Sequence, residues 1–174
     1  ALVSAVTMPA TARTVTIFTS LPILWPEAGG IASMLQVMGE PHWAKAVLQR
    51  RGELRAIDRL VPDEKGILAP DLLVMIQPRP LAPDENVALD RWVRRGGRLL
   101  LFADPTLTAD SVFALGDRRR PQAKAMLQPL LAHWGLRLDF DAAPSPGEHR
   151  GDVFGIDLPV NLPGQLVALR SARD

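Results

Sequence analysis

The spacing of apolar residues along this chain changes several times, and each change marks an element. Thr14-Val15-Thr16-Ile17-Phe18 is rich in β-branched residues and predicts a first strand. Thr19-Ser20-Leu21-Pro22 ends it, because Pro22 cannot continue a ladder. Pro26 and Gly29-Gly30 predict a loop over 23–30, followed by a short helix over 31–38. Trp43, Ala44, Val47 and Leu48 recur at helical spacing, so a helix over 41–51 is expected to bury those four side chains. Pro41 suits its first position, and Gly52 suits its left-handed stop. Glu53-Leu54-Arg55-Ala56-Ile57 then alternates as a half-buried strand does.

The plainest unit lies between Asp71 and Pro105. Leu72-Leu73-Val74-Met75-Ile76 is continuously apolar, as strands covered on both faces are. Pro83 opens a helix with Asp84 and Glu85 in its positive first turn. Ala88, Leu89, Trp92 and Val93 form the buried stripe, and Asp90 can pair with Arg94 one turn on. Gly96-Gly97 stops the helix, and Arg98-Leu99-Leu100-Leu101-Phe102 is expected to be the next buried strand. Strand, helix and strand of these lengths form a crossover unit, so 72–76 and 99–102 should be parallel neighbours.

Beyond Pro105 the pattern weakens. Leu127, Leu130, Leu131 and Trp134 predict a helix over 122–134 that either kinks at Pro129 or starts near it. Leu136-Arg137-Leu138-Asp139-Phe140 alternates as a strand. Residues 142–151 are expected to be loop, and 153–156, 158–160 and 166–169 are short β-leaning pieces. Residues 1–13 are read as an N-terminal flanking segment. Its apolar Ala1-Leu2-Val3-Ser4-Ala5-Val6 has two readings, the trailing edge of a removed signal or membrane anchor and an arbitrary boundary. Residues 14–174 are read as one α/β domain.

Composition narrows the chemistry. A net charge of +1 over 174 residues gives no bulk argument for nucleic acid. Arg118-Arg119-Arg120 is read as a solvated loop, with an anion or partner site as the alternative. The absence of cysteine excludes disulfides, thiolate metal sites and a cysteine nucleophile. No G-x-G-x-x-G, Walker or G-x-S-x-G pattern occurs, and His42, His133 and His149 lack ligand spacing. No catalytic residue, metal site or cofactor is therefore expected. Trp25, in the Pro/Gly-rich loop, is read as cover for the core, with lining a groove as the alternative.

Open parallel sheets bind ligands beyond the carboxyl ends of their strands. Those ends carry Thr19, Ser20, Gln77, Arg79 and Asp104, which are the candidate ligand-binding residues. Ser20 and Thr19 could donate hydrogen bonds, Arg79 could hold an anion, and Asp104 could accept a hydrogen bond or take a cation. The competing reading is turn chemistry, since Asp104 before Pro105 suits an Asx-type turn.

Three stretches together carry a family resemblance: 71–78, 81–93 and 95–105, joined by Leu130-Leu131-Ala132-His133-Trp134-Gly135-Leu136-Arg137-Leu138. Over residues 15–140 the chain resembles the GldG-like family, auxiliary domains of uncharacterised ABC-type transport systems. The resemblance implies a three-layer α/β sandwich with a central, mainly parallel sheet, similar to flavodoxin-like and class I glutamine-amidotransferase-like domains. It also implies a non-catalytic accessory domain on the periplasmic or extracytoplasmic face, binding a protein partner or ligand. That domain would be tethered through a membrane segment outside this chain and would work with membrane components of an ABC-type transporter. The alternatives are a cytoplasmic location, and a small-molecule receptor or enzyme using the strand ends. Family members usually continue into a glycine-rich strand ending in an acidic turn, so the domain is expected to be shortened at its C-terminal end.

Overall fold

The β-branched run at Thr14 forms β1 (Thr14–Thr19), and β1 lies inside the sheet rather than at its edge. The computed structural model describes residues 14–25, 27, 42–62, 70–140, 147–153, 155–161 and 164–169. The short helix expected over 31–38, Pro41 and most of the loop over 23–30 lie outside them, as does the flanking segment 1–13.

Four strands make the central sheet: β1, β2 (Glu53–Ala56), β3 (Leu72–Ile76) and β4 (Leu99–Phe102). Their order is β2-β1-β3-β4, and every pairing is parallel. Val74 stands beside Ile17 on one side and Leu100 on the other, so the crossover unit read from the sequence is present. The chain leaves β1 for one neighbour and returns on the far side at β3. The switch point of the sheet therefore lies between β1 and β3.

Helices cover both faces, giving three layers. Alternate side chains of β3 point opposite ways, as the pleat requires. Leu73 and Met75 join Phe18 and Leu60 against Ala88, Leu89 and Trp92 of α2 (Pro83–Arg94) and Leu130 of α3 (Gln128–His133). Leu72 and Val74 join Val15, Ile17 and Ile23 against Leu48 of α1 (Trp43–Gln49). Burying each such aliphatic side chain contributes about 1.5–3 kcal/mol, so two interleaved clusters on one strand fix its register firmly.

The double glycine after α2 has two separate duties. Gly96 takes φ +91°, the left-handed helix stop. Gly97 makes room, because a Cβ there would lie 2.3 Å from the Trp92 ring.

Several expectations are corrected. α1 begins at Trp43, capped by the His42 side chain, which accepts from the Ala44 N–H. Only Leu48 of its expected stripe is buried; Trp43 is 73% exposed and Val47 is also exposed. Trp25 is exposed rather than covering the core, and it lies 5.8 Å from the Lys45 ammonium. β4 is only half-buried, and Phe102 is 52% exposed, because among the described residues β4 ends the sheet with β3 as its one neighbour. α3 starts beside Pro129, in the first turn where proline costs nothing. Residues 122–127 are not helical; they run across the strand ends, with Ala125 N–H donating to Asp104 O and Leu107 N–H to Ala123 O.

The C-terminal part forms two antiparallel pairs. β5 (Leu136–Phe140) pairs with β8 (Gly164–Ala168). β6 (Glu148–Val153) pairs with β7 (Ile156–Asn161), so residues 148–151 are strand where a loop was expected. The turn between them falls at Gly155, with φ +76°. Across that hairpin Arg150 pairs with Asp157. Local proline and glycine content hid a ladder that only the partner strand completes.

Candidate functional site

The carboxyl ends of β1, β3 and β4 meet at Gln77. Its backbone sits at φ +42°, an uncommon conformation for a residue with a side chain. Its amide is fully used. Nε2 donates to Asp104 O at 3.1 Å and to Gln122 O at 2.9 Å, and Oε1 accepts from Asp104 N–H at 2.8 Å. The Gln77 backbone N–H donates to Phe102 O, and its carbonyl accepts from the Ser20 hydroxyl at 2.5 Å. Ser20 Oγ in turn accepts from Gln122 N–H at 3.0 Å. One buried residue thus binds three segments: its side chain holds the end of β4 and the strap at Gln122, and its carbonyl holds the end of β1.

The other candidates are engaged locally. The Thr19 hydroxyl accepts from Leu21 N–H, and Asp104 Oδ1 accepts from Thr106 N–H at 2.8 Å. Both are short side-chain turns of the kind these residue types favour. Asp104 Oδ2 takes no hydrogen bond from the described residues, and Asp104 is among the residues lining the hollow beside it.

Arg79 is drawn away from the strand ends. It forms a two-pronged pair with Glu85, with both contacts at 2.8 Å, and also donates to Asp58 O and Pro80 O. Its guanidinium lies 5.0 Å from the Phe18 ring centre. Glu85 is 1% exposed and also accepts from Leu60 N–H and Ala82 N–H. The Arg79 hydrogen bonds hold its carboxyl well below the ordinary value, at about 2, against the opposing cost of burial. Arg79 thus serves to neutralise a buried carboxylate.

The sequence places Glu85 in the first turn of its helix, where it lies, but gives it no partner. The signal that could have found it is the three-residue spacing from Ala82, the position where a glutamate reaches back to the residue before a helix. Gln122 carries no such signal, since its role depends on Ser20 and Gln77, far away in the chain. The basic run is engaged too: Arg119 pairs with Asp117 and lies over Phe113, and Arg120 donates to Phe113 O. Among the described residues no group of His, Cys, Asp and Glu could hold a metal ion.

Apart from Asp104, what remains open near the strand ends is mainly apolar. A crevice of about 550 Å³ lies over the second face of the sheet, walled by Leu21, Ile23, Trp43, Val47, Leu100 and Phe102, with Arg51 at its rim. On the opposite side, a groove of about 1050 Å³ separates β4 from the β5–β8 pair. Gly164 closes one part of that groove, since a Cβ there would lie 2.5 Å from the Pro105 ring. Among the described residues no helix is long and apolar enough to cross a membrane.

No curated protein and no solved structure gives a significant match to the chain. A family described as ABC-type uncharacterized transport system matches residues 44–147, which is more than half of the sequence and includes β3, α2, β4 and the Asp104 turn. This chain belongs to that family, the auxiliary components of ABC-type transport systems.

Proposed function

We propose that the chain is a non-catalytic accessory domain on the extracytoplasmic face of the membrane, which binds a protein partner of its transport system through the apolar crevice beyond β1, β3 and β4. One observation carries this reading. The polar groups at the strand ends are bonded to one another, while the concave surface beside them is apolar and presents exposed Trp43 and Phe102. Depletion of charge with aromatic residues at the centre is the pattern of a protein-binding patch. The sequence resemblance supports both the accessory role and the location, and the membrane components of the transporter are the expected partners.

The test is co-purification of the full-length protein from membranes. Trp43→Asp combined with Phe102→Asp should leave the thermal midpoint nearly unchanged, because both side chains are exposed, and should remove the membrane components from the eluate. A double variant that keeps its partners contradicts the crevice. A wild-type protein that is soluble and retains no membrane partner contradicts the accessory reading. External protease reaching the domain in intact cells checks the location.

A second reading, a small-molecule receptor, is favoured by Asp104 near the switch point of the sheet, whose Oδ2 takes no hydrogen bond from the described residues. On that reading Asp104→Ala abolishes ligand binding with little loss of stability. On the turn reading it lowers stability by about 1 kcal/mol and leaves binding intact.

A further inference from the structure

The arginines at the two ends of the central sheet differ in what they hold. Beyond the carboxyl ends, Arg79 pairs with Glu85, Arg119 with Asp117, and Arg59 stands 3.9 Å from Asp84. The amino ends are different. Arg50 and Arg51 follow the last turn of α1 and lead through Gly52 into β2, whose first residue, Glu53, stands beside Thr14 of β1. Arg91, Arg94 and Arg95 close α2, and Arg98 precedes β4. The Thr14 N–H donates to the Asp71 carboxylate at 3.0 Å, and the Arg98 guanidinium donates to the Asp71 carbonyl at 3.0 Å. Arg95 and Arg98 border one hollow with Asp71. These positions form one continuous rim.

All six arginines of the rim are exposed, and only Arg94 has a carboxylate partner, Asp90. Arg50 and Arg98 donate to backbone carbonyls, and Arg51, Arg91 and Arg95 have no side-chain partner among the described residues. The described acids on the rim are Glu53 and Asp71. Five arginines without a carboxylate thus stand against two acids, in a chain whose net charge is +1. A helix carboxyl end carries about half a negative charge, which favours arginine there but is too small to cancel this surplus.

The shape of the cluster selects its counterpart. α1 and α2 lie on opposite faces of the sheet, so the arginines span the full thickness of the domain. A single small anion could meet only part of them, whereas an extended anionic surface meets them together. The chain also enters β1 at this rim. Seven residues reach at most about 25 Å, so a bilayer engaged by the apolar Ala1–Val6 lies within that reach of it.

We infer that the amino-end rim of the sheet is a docking surface for an anionic lipid bilayer, with Arg91, Arg95 and Arg98 on one face and Arg50 and Arg51 on the other held by lipid phosphate groups. Arginine suits that role, because its planar fork meets phosphate oxygens two at a time. The inference rests on the accessory reading for the membrane being this domain's neighbour.

The probe is a pair of vesicle preparations, pure phosphatidylcholine and phosphatidylcholine mixed equally with phosphatidylglycerol, sedimented with the full chain. Binding to the anionic vesicles should be at least tenfold stronger, and molar salt should abolish the difference. Arg91→Gln combined with Arg95→Gln should remove at least tenfold of the anionic binding with the thermal midpoint unchanged, since both side chains are exposed. Arg118→Gln combined with Lys124→Gln removes the same charge from exposed positions beyond the carboxyl ends and should change binding less than twofold. Equal losses in the two double variants overturn the rim, because net charge alone would then account for binding. Equal binding to both vesicles also overturns it and assigns the contact to the apolar residues 1–6. Binding of polyglutamate without binding of anionic vesicles overturns the lipid and points to an acidic protein. Vesicle binding by a protein that captures no membrane component leaves the rim standing and removes the accessory reading; capture by a protein that ignores anionic vesicles does the reverse.

Discussion

Gln77, just past the end of β3, and Leu101, on β4, lie near the same end of the sheet, and their polar groups meet opposite fates. Gln77 is buried, and each N–H of its amide has a partner. Leu101 is half-buried, and its backbone N–H and C=O point away from β3 and have no partner among the described residues. The first arrangement closes three chain segments on one another; the second leaves hydrogen-bonding capacity unused. The comparison separates the polar residues that hold this fold from the groups it leaves unpaired among the described residues. A buried polar group without a partner costs about 1–3 kcal/mol, whereas an edge group in contact with water costs little until something covers it.

Variants of graded severity sharpen the comparison. Glu85→Ala should be the most damaging, lowering unfolding free energy by about 3–4 kcal/mol in denaturant titrations, since it strands Arg79 and two backbone N–H groups. The same carboxylate sets an acid dependence. Its folded value of about 2 lies below the ordinary value of 4.5, so its stabilisation is complete above about pH 4.5 and is lost as pH falls towards 2. Glu85→Gln should remove most of that slope. Gln77→Ala comes next, at about 2–3 kcal/mol, because the strap at Gln122 and the Asp104 turn lose their common anchor. Gly97→Ala should cost about 1–3 kcal/mol through collision with the Trp92 ring. The smallest effect is expected at the exposed pairs: Arg137→Ala should leave the thermal midpoint within error, since Arg137 and Asp139 lie at the surface. A Gln77→Ala protein of wild-type stability that fails to bind partners would break the comparison, because the closed cluster would then be a binding site.

The central unit was legible because its signals are local. A continuous apolar run, a proline start, an acidic first turn and a glycine stop all lie within residues 71–105, and the parallel pairing of β3 with β4 follows from them. The five candidate residues were placed at the strand ends by the same logic, and Ser20, Gln77 and Asp104 do meet there. What sequence could not supply was the choice of partner. Arg79 chooses Glu85, and Gln77 chooses Gln122, through contacts that exist only once the sheet and helix are assembled. The exposure of Trp43 and Phe102 was hidden for a related reason. Helical spacing and apolar runs identify faces, but not whether another layer covers them. Residues 158–160 were legible as β-leaning and lie in β7, but the start of β6 was read as loop because Gly147 and Gly151 weaken its local pattern, and its pairing with β7 is not a local signal.

Amide hydrogen exchange on the uncomplexed chain tests the contrast between the closed strand ends and the open edge most directly. The account predicts strong protection at Gln77, Asp104, Gln122 and Ala125, and at Leu100 and Phe102 facing β3, with Leu99 and Leu101 exchanging at least a hundredfold faster in the same sample. Uniform protection along β4, or rapid exchange at Asp104 and Gln122, would contradict it.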